Sequence, residues 1–193
     1  MFKNQLGIAI RFTIITAILL GVGYPFAVTG FAHLTMRDKA DGQLISQNGH
    51  VIGSRILSQG FTTDKYFHPR PSAAGNGYDA TSSGGSNFAQ SNQKLVTRIQ
   101  TDASALAKNN GGEPVPIDLV TTSGSGLDPD ITPAGALYQV HRVAAARGLS
   151  DDAVRKLLDE HVTRRQFGVL GEARINVLEL NLALDQLRPT SGL

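Results

Sequence analysis

Two stretches rich in serine and glycine are the first candidates for chemistry. RPSAAGNGYDATSSGGSN occupies residues 70–87 and TTSGSGLDPD residues 121–130. Glycine-rich loops can bring backbone N–H groups to a phosphate. A Walker A loop needs Gly-x-x-x-x-Gly-Lys-Ser/Thr, because its lysine reaches the β- and γ-phosphates. No Gly-Lys pair occurs in this chain. Ser83, Gly84, Gly85 and Ser86 therefore stand as a nucleotide candidate without its lysine. The plainer reading is a tight turn that lets a serine-rich loop pack closely.

Other constellations are sparser. Ser83-Gly84-Gly85 is similar to the signature loop with which ABC ATPases clamp a γ-phosphate across a dimer, but so short a match decides little. The histidines, His33, His50, His68, His141 and His161, show neither His-x-x-x-His nor His-Glu-x-x-His spacing. His141, Asp128 or Asp130 and a loop serine could form a triad. However, Ser123-Gly124-Ser125-Gly126 lacks the first glycine of a Gly-x-Ser-x-Gly elbow. Asp118, Asp128 and Asp130 could ligate a cation, although Asp128-Pro129 reads more simply as a turn. Arg164-Arg165 reads as a solvated face. The chain has no cysteine, hence neither a disulfide framework nor a thiolate metal site.

The N-terminus decides which compartment these loops face. From Phe12 to Ala32 there is no charged residue. A helix of that length is roughly 30 Å long, which matches a bilayer's hydrocarbon core. Residues 12–32 are expected to be a transmembrane helix. The rival is a cleaved signal peptide with Gly30-Phe31-Ala32 at its cleavage site, but the apolar stretch is long for one. Lys3 and Arg11 precede the span, while Arg37 and Lys39 follow it among Asp38 and Asp41. The positive-inside rule gives residues 1–11 a slight cytoplasmic bias. Formal net charge is +2, and Lys3 and Arg11 account for it. The remainder is neutral, with no basic stripe for nucleic acid.

Within the span, Ala9, Thr13, Ala17 and Gly21 recur every fourth residue, with Ile14, Ile15, Ile18 and Leu19 on other faces. Small residues let helix backbones approach in lipid, so this face is a candidate partner surface. Pro25 is expected to kink the helix by removing the bond to Gly21. No acidic residue precedes Asp38, so this helix offers no ion path by itself.

Residues 33–193 read as one small α+β domain. Leu44–Ile52 is expected to be a hairpin turning at Asn48-Gly49. Residues 60–90 have no period, yet Phe61, Tyr66, Phe67, Tyr78 and Phe88 argue for packing rather than disorder. Ser91-Asn92 caps a helix to about Lys108. Val115–Val120 is expected to be an edge strand, given Pro116. Thr132 caps a helix with Leu137, Val140 and Ala144 on its apolar stripe, stopped by Gly148. Ser150 caps another carrying Val154, Leu157, Leu158 and His161. Arg174-Ile175-Asn176 is expected to be a short strand, and Asn176 to cap a last helix from Val177 to Leu187, although Leu178, Leu180, Leu182 and Leu184 also alternate as in a strand.

Taken together these motifs resemble the C subunit of the bacterial high-affinity potassium-transporting P-type ATPase, the Kdp complex, from about Gly7 to Asp185. The resemblance rests on Tyr66-Phe67-His68-Pro69-Arg70-Pro71-Ser72-Ala73, Tyr78-Asp79, Ser83-Gly84-Gly85-Ser86-Asn87 and Ser91-Asn92. It rests further on Thr122-Ser123-Gly124-Ser125-Gly126-Leu127-Asp128-Pro129, Ile131, Pro133, Tyr138-Gln139-Val140 and Asn176-Val177-Leu178-Glu179-Leu180-Asn181. Phe88-Ala89-Gln90, His141 and Gly135 stand where Leu-Gly-Pro, proline and alanine are usual.

The resemblance implies a single-pass subunit of the bacterial inner membrane with a cytoplasmic N-terminus and a periplasmic domain. Its implied partners are a potassium-binding channel-like subunit, a P-type subunit that hydrolyses ATP, and the lipid bilayer. It implies an accessory, non-catalytic role as a catalytic chaperone that raises the ATP affinity of the hydrolysing subunit. No cofactor belongs to the chain itself, ATP and Mg being bound by the complex. In that orientation the Ser/Gly loops lie across the bilayer from ATP, so any effect must be conformational coupling. Arg70 is then expected to pair locally and Tyr78 to anchor a shaped loop docked on the potassium-binding subunit. The alternative is an independent exported hydrolase or binding protein released from a signal peptide.

Overall fold

The computed structural model describes residues 2–187, so the last residues of the expected domain, 188–193, lie outside the described part. The chain divides into two compact units, one up to Ile52 and one from Gly53.

The first unit is led by α1 (Phe2–Ile18), a π turn (Leu19–Gly23) and α2 (Tyr24–Thr35). The stretch Asn4–Thr35 is long and apolar enough to cross a membrane, and none of it is buried within the protein. The break expected at Pro25 takes the form of the π turn. Pro25 has no N–H, and its ring crowds the carbonyl four residues back. The wider turn before it relieves this, and the Tyr24 N–H reaches back to the Leu19 carbonyl. A single turn, α3 (Arg37–Ala40), follows. Then β1 (Leu44–Gln47) and β2 (His50–Ser54) pair as the expected hairpin. Asn48 and Gly49 carry φ of 52° and 79°, the paired positive values of a type I′ turn.

In the second unit, α4 (Gln93–Asn109) begins where Asn92 caps it, its Oδ1 accepting from Lys94 N at 2.9 Å. The expected edge strand at 115–120 does not form. Ile117–Leu119 is a 3₁₀ turn. Alternation fails here because Asp118, Leu119 and Val120 are buried in succession while Ile117 is 70% exposed. Asp118 turns inward to accept from Thr132 N at 2.7 Å. Gly135 leaves room for that carboxylate, since a Cβ there would lie 2.6 Å from its Oδ2.

Thr132 caps α5 (Pro133–Leu137) as expected, its hydroxyl accepting from Gly135 N at 2.9 Å. The helix does not run on to Gly148. It breaks at Tyr138-Gln139 and resumes as α6 (Val140–Arg147), which Gly148 ends with φ 65°. The break follows from Gln139 turning its amide into the interior, and it leaves Leu137 41% exposed rather than on the apolar stripe. Ser150 caps α7 (Asp151–Glu160), beyond which His161 sits as the C-cap. Asn176 caps α8 (Val177–Leu184). The short strand β4 (Ile175–Asn176) pairs antiparallel with β3 (Asp130–Ile131), a partner the sequence did not announce.

The core gathers Ile131 and Ile175 from the ladder, Val140, Val143 and Ala144 from α6, Val154 and Leu158 from α7, and Val177, Leu180 and Leu184 from α8. Phe67 joins them fully buried, although it belongs to the long aperiodic segment. Each of the Val, Leu, Ile and Phe side chains contributes about 1.5–3 kcal/mol on burial, and Ala144 less.

Candidate functional site

The aperiodic segment carries three of the family-like motifs, and side chains from the helices hold its first part. A buried backbone must have its N–H and C=O paired. At Phe67 both bonds come from Asn181 on α8. Its Oδ1 accepts from the Phe67 N–H at 2.8 Å, and its Nδ2 donates to the Phe67 carbonyl at 3.0 Å. Gln139 repeats the device at the next residue. Its Oε1 accepts from His68 N at 2.7 Å and its Nε2 donates to His68 O at 3.0 Å. Two side-chain amides thus replace a neighbouring strand.

Two arginines fix the flank. Arg142 donates to the carbonyls of Asp64 (2.8 Å) and Tyr66 (3.1 Å) and to Gln139 Oε1 (2.6 Å). Arg147 donates to Lys65 O at 2.6 Å, pairs with Asp185 at 2.7 Å, and stacks its guanidinium 4.7 Å from the Tyr66 ring centre. The segment is therefore packed, as its spaced aromatics suggest.

The two Ser/Gly loops then clasp each other. Arg70 pairs with Asp128 at 3.2 Å and donates to the carbonyls of Thr121 (3.3 Å) and Thr122 (3.4 Å). Ser72 Oγ donates to Gly126 O at 2.6 Å and accepts from Tyr78 N at 2.8 Å. The Tyr78 hydroxyl donates to Arg70 O at 2.9 Å, and burial pushes its pKa up. At the tip, Gly84 N donates to Ser125 O at 2.8 Å, and so does the Ser83 hydroxyl at 3.0 Å. Gly126 is the point of closest approach. Its φ is +67°, and a Cβ there would lie 2.5 Å from Gly84 O and 2.8 Å from Ala74 N.

The sequence candidates divide accordingly. Arg70 pairs locally, as expected, and Tyr78 is half-buried within its own unit. Of the nucleotide candidate, Ser83 and Gly84 bond the opposite loop, Gly85 packs on the carbonyls of Ser123 and Gly124, and Ser86 is half-buried. Ala9, Thr13, Ala17 and Gly21 are all exposed on the helical run of the first unit, Gly21 within the π turn.

The imagined triad is not assembled. His141 Nδ1 meets Asp151 at 3.2 Å rather than Asp128 or Asp130. Nor is the cation site. Asp128 faces Arg70, Asp130 faces Arg174 at 2.9 Å, and Asp118 caps Thr132. Among the described residues no group of three or more His, Cys, Asp or Glu side chains could hold a metal ion. Burial pushes the Asp130 carboxyl up by more than Arg174 beside it pulls down.

Against the clasp lies a cavity of about 410 Å3, lined by apolar Phe61, Pro69, Pro71, Tyr78, Leu106 and Tyr138 and by polar His68, Asp64 and Arg142. Burial and the nearby Arg142 charge push the His68 pKa down. Its neutral ring contacts Thr63 O through Nε2 at 3.0 Å. The polar wall is thus committed to holding the loop.

Sequence reasoning missed Asn181, Gln139, Arg142 and Arg147 as organisers. A signal existed for one. Asn181 is a lone amide among the leucines of VLELNLAL, and an amide on a core-facing helix stripe must find a buried partner.

A model of the family described as "KdpC: K+-transporting ATPase, c chain" matches residues 6–186. Among curated relatives, the chain is 54% identical to the potassium-transporting ATPase KdpC subunit of Koribacter versatilis over 187 residues, 97% of each chain. It is 55% identical to the same subunit of Acidobacterium capsulatum over 184 residues, 95% of this chain and 99% of that one. With that of Gloeobacter violaceus it shares 48% identity over 186 residues, covering 96% and 97%.

Proposed function

The chain belongs to the KdpC family of K+-transporting ATPase c chains, and from that premise we propose how it serves an ATP-driven potassium-uptake complex. It is an accessory subunit, not catalytic by itself. The observation that carries this is the match over residues 6–186, which takes in both the apolar helix and the folded unit.

In this reading the partners are a potassium-binding channel-like subunit and a P-type subunit that binds ATP and Mg. This chain brings no cofactor. Residues before the span are cytoplasmic, and the folded unit lies outside the inner membrane. Lys3 and Arg11 ahead of the uncharged stretch support that orientation. The loops face away from ATP and serve as a scaffold rather than a phosphate cradle. In support, the Gly84 N–H and the Ser83 hydroxyl, which a phosphate would need, already bond Ser125. Any rise in the ATP affinity of the hydrolysing subunit is then a coupling between conformational states.

The exported-hydrolase reading is not supported. Relatives along the whole chain carry the name of a transport subunit, and His141 pairs away from the loop serines.

The test is purification of the tagged chain in mild detergent with an ATPase assay. Two larger membrane subunits and potassium-stimulated ATPase activity are expected to accompany an intact N-terminus. Recovery of a shortened, soluble chain alone overturns the reading. For orientation, protease added to sealed spheroplasts is expected to digest the folded unit, and its protection reverses the assignment.

A further inference from the structure

Residues 163–174, TRRQFGVLGEAR, leave the end of α7 and return at β4 as a small antiparallel excursion. Two bridges hold it, Thr163 with Arg174 and Gln166 with Leu170. Their hydrogen bonds run from 2.8 to 3.0 Å. The base is fixed further by Arg174, whose Nε meets Asp130 Oδ2 at 2.9 Å, and by the adjoining ladder of β4 with β3.

The apex is apolar. Phe167 is 92% exposed, Val169 72% and Leu170 57%. Phe167 sits at φ +53° and Gly168 at +77°. A left-handed backbone is unfavourable for a bulky residue, and Asn, Asp or Gly would be the ordinary choice. Here the strained position presents an aromatic ring to the outside, and the apex N–H groups of Gly168, Val169 and Leu170 are bonded within the hairpin. Around the apex stand Arg164 and Arg165, with Glu172 3.9 Å from Arg165.

We infer that this apex is a second membrane contact, seated in the interfacial layer of an anionic bilayer. Three observations favour lipid as its occupant. The same chain carries a helix long and apolar enough to cross a membrane, and residues 36–52 can extend no further than roughly 60 Å. A bilayer is therefore always within reach of the folded unit, and the hairpin needs little affinity of its own. The chemistry is that of an interfacial anchor. Phe167, Val169 and Leu170 enter the boundary of headgroups and acyl chains, while Arg164 and Arg165 extend to lipid phosphates. Finally, the apolar part of the apex is only Phe167, Val169 and Leu170, flanked by charged side chains, a narrow tip of the kind that enters a headgroup boundary. The inference rests on the single-pass reading and not on assembly with other subunits.

The full chain contains no tryptophan and four tyrosines, so Phe167→Trp supplies the single tryptophan, excited selectively on the red edge of tyrosine absorption, at an exposed position. The variant is reconstituted alone into vesicles of phosphatidylcholine with phosphatidylglycerol, with and without bromine near the headgroup end of the acyl chains. Brominated lipid is expected to quench the emission at least twofold and the bilayer to shield it from acrylamide. Adding Arg164→Gln and Arg165→Gln is expected to reduce the quenching in phosphatidylglycerol vesicles and leave it unchanged in pure phosphatidylcholine. Emission indifferent to bromine and fully open to acrylamide overturns the inference. So does shielding that appears only after assembly with larger subunits, which assigns the apex to a protein socket. Both failures leave the subunit assignment standing, because co-purification tests it separately.

Discussion

The side-chain amide of Asn181 takes both backbone hydrogen bonds of Phe67, at 2.8 and 3.0 Å, across 114 residues of sequence. The pairing lets a fully buried phenylalanine sit in a segment without secondary structure. Hydrophobic burial pulls Phe67 inward, and the amide removes the penalty its peptide groups would otherwise incur.

Replacing Asn181 by leucine keeps the branched shape at a larger volume and leaves two buried polar groups unpaired. Each costs about 1–3 kcal/mol. Asn181→Leu is expected to lower stability by about 2–6 kcal/mol in denaturant unfolding of the detergent-solubilised chain. Gln139→Leu is expected to follow it, since Gln139 also orients Arg142. A loss below about 0.5 kcal/mol in both would deny the amides this role.

The clasp is tested at its tightest point. Gly126→Ala adds a Cβ against Gly84 O and Ala74 N on a positive-φ backbone. Neither contact is the end of a flexible side chain, so a loop must shift, and a loss of about 2 kcal/mol or more is expected. Limited proteolysis between residues 70 and 87 is expected to accelerate. Gly124→Ala, where a Cβ meets nothing within 4 Å, is the matched control.

Tyr78 separates packing from docking. Tyr78→Phe removes the bond to Arg70 O and is expected to cost about 1 kcal/mol. Tyr78→Ala also empties the space beside Gly60 and is expected to cost about 2 kcal/mol or more. Both losses are expected in the isolated subunit. If Tyr78→Ala unfolds normally but fails to join the complex, the ring belongs to a partner surface instead.

His68 makes stability depend on pH. Burial and Arg142 hold its folded pKa below the ordinary histidine value, so the folded state resists a proton that the unfolded chain accepts. Its neutral form is fully favourable above an unfolded pKa of about 6.5, and that advantage is lost as pH falls below it. The melting temperature is expected to drop between pH 7.5 and pH 5. His68→Gln is expected to flatten that drop. Asp130, whose pKa is raised, acts in the opposite sense and in the lower carboxylate range. An unchanged slope in the variant would remove His68 as the cause.

In the membrane, Ala17→Leu with Gly21→Leu places bulk where another helix would approach. Subunit recovery after detergent extraction is expected to fall at least several-fold. Ile14→Leu with Ile18→Leu, on another face, is expected to be tolerated. Equal tolerance of both pairs would leave the small-residue face without a role.

Local chemistry was enough for much of this protein. The uncharged run from Phe12 to Ala32, the Asn48-Gly49 turn, and the caps at Asn92, Thr132, Ser150 and Asn176 each encode their structure within a few residues, because capping and turn geometry are short-range. The ordered residues of the family-like motifs were equally legible as a resemblance. Tertiary structure decided the rest. Val115–Val120 has a strand's composition, yet the buried Asp118 bends it into a 3₁₀ turn to reach Thr132. The helix begun at Thr132 breaks where Gln139 turns inward to His68. Ile131 becomes a strand only because Ile175 arrives beside it. Residues 64–68 owe their shape to Asn181, Gln139, Arg142 and Arg147, and residues 70–84 to the facing loop at 121–128. Those bonds join residues as much as 114 positions apart, and no local pattern encodes a partner at that distance, because the bond exists only once the hydrophobic core has brought both ends together.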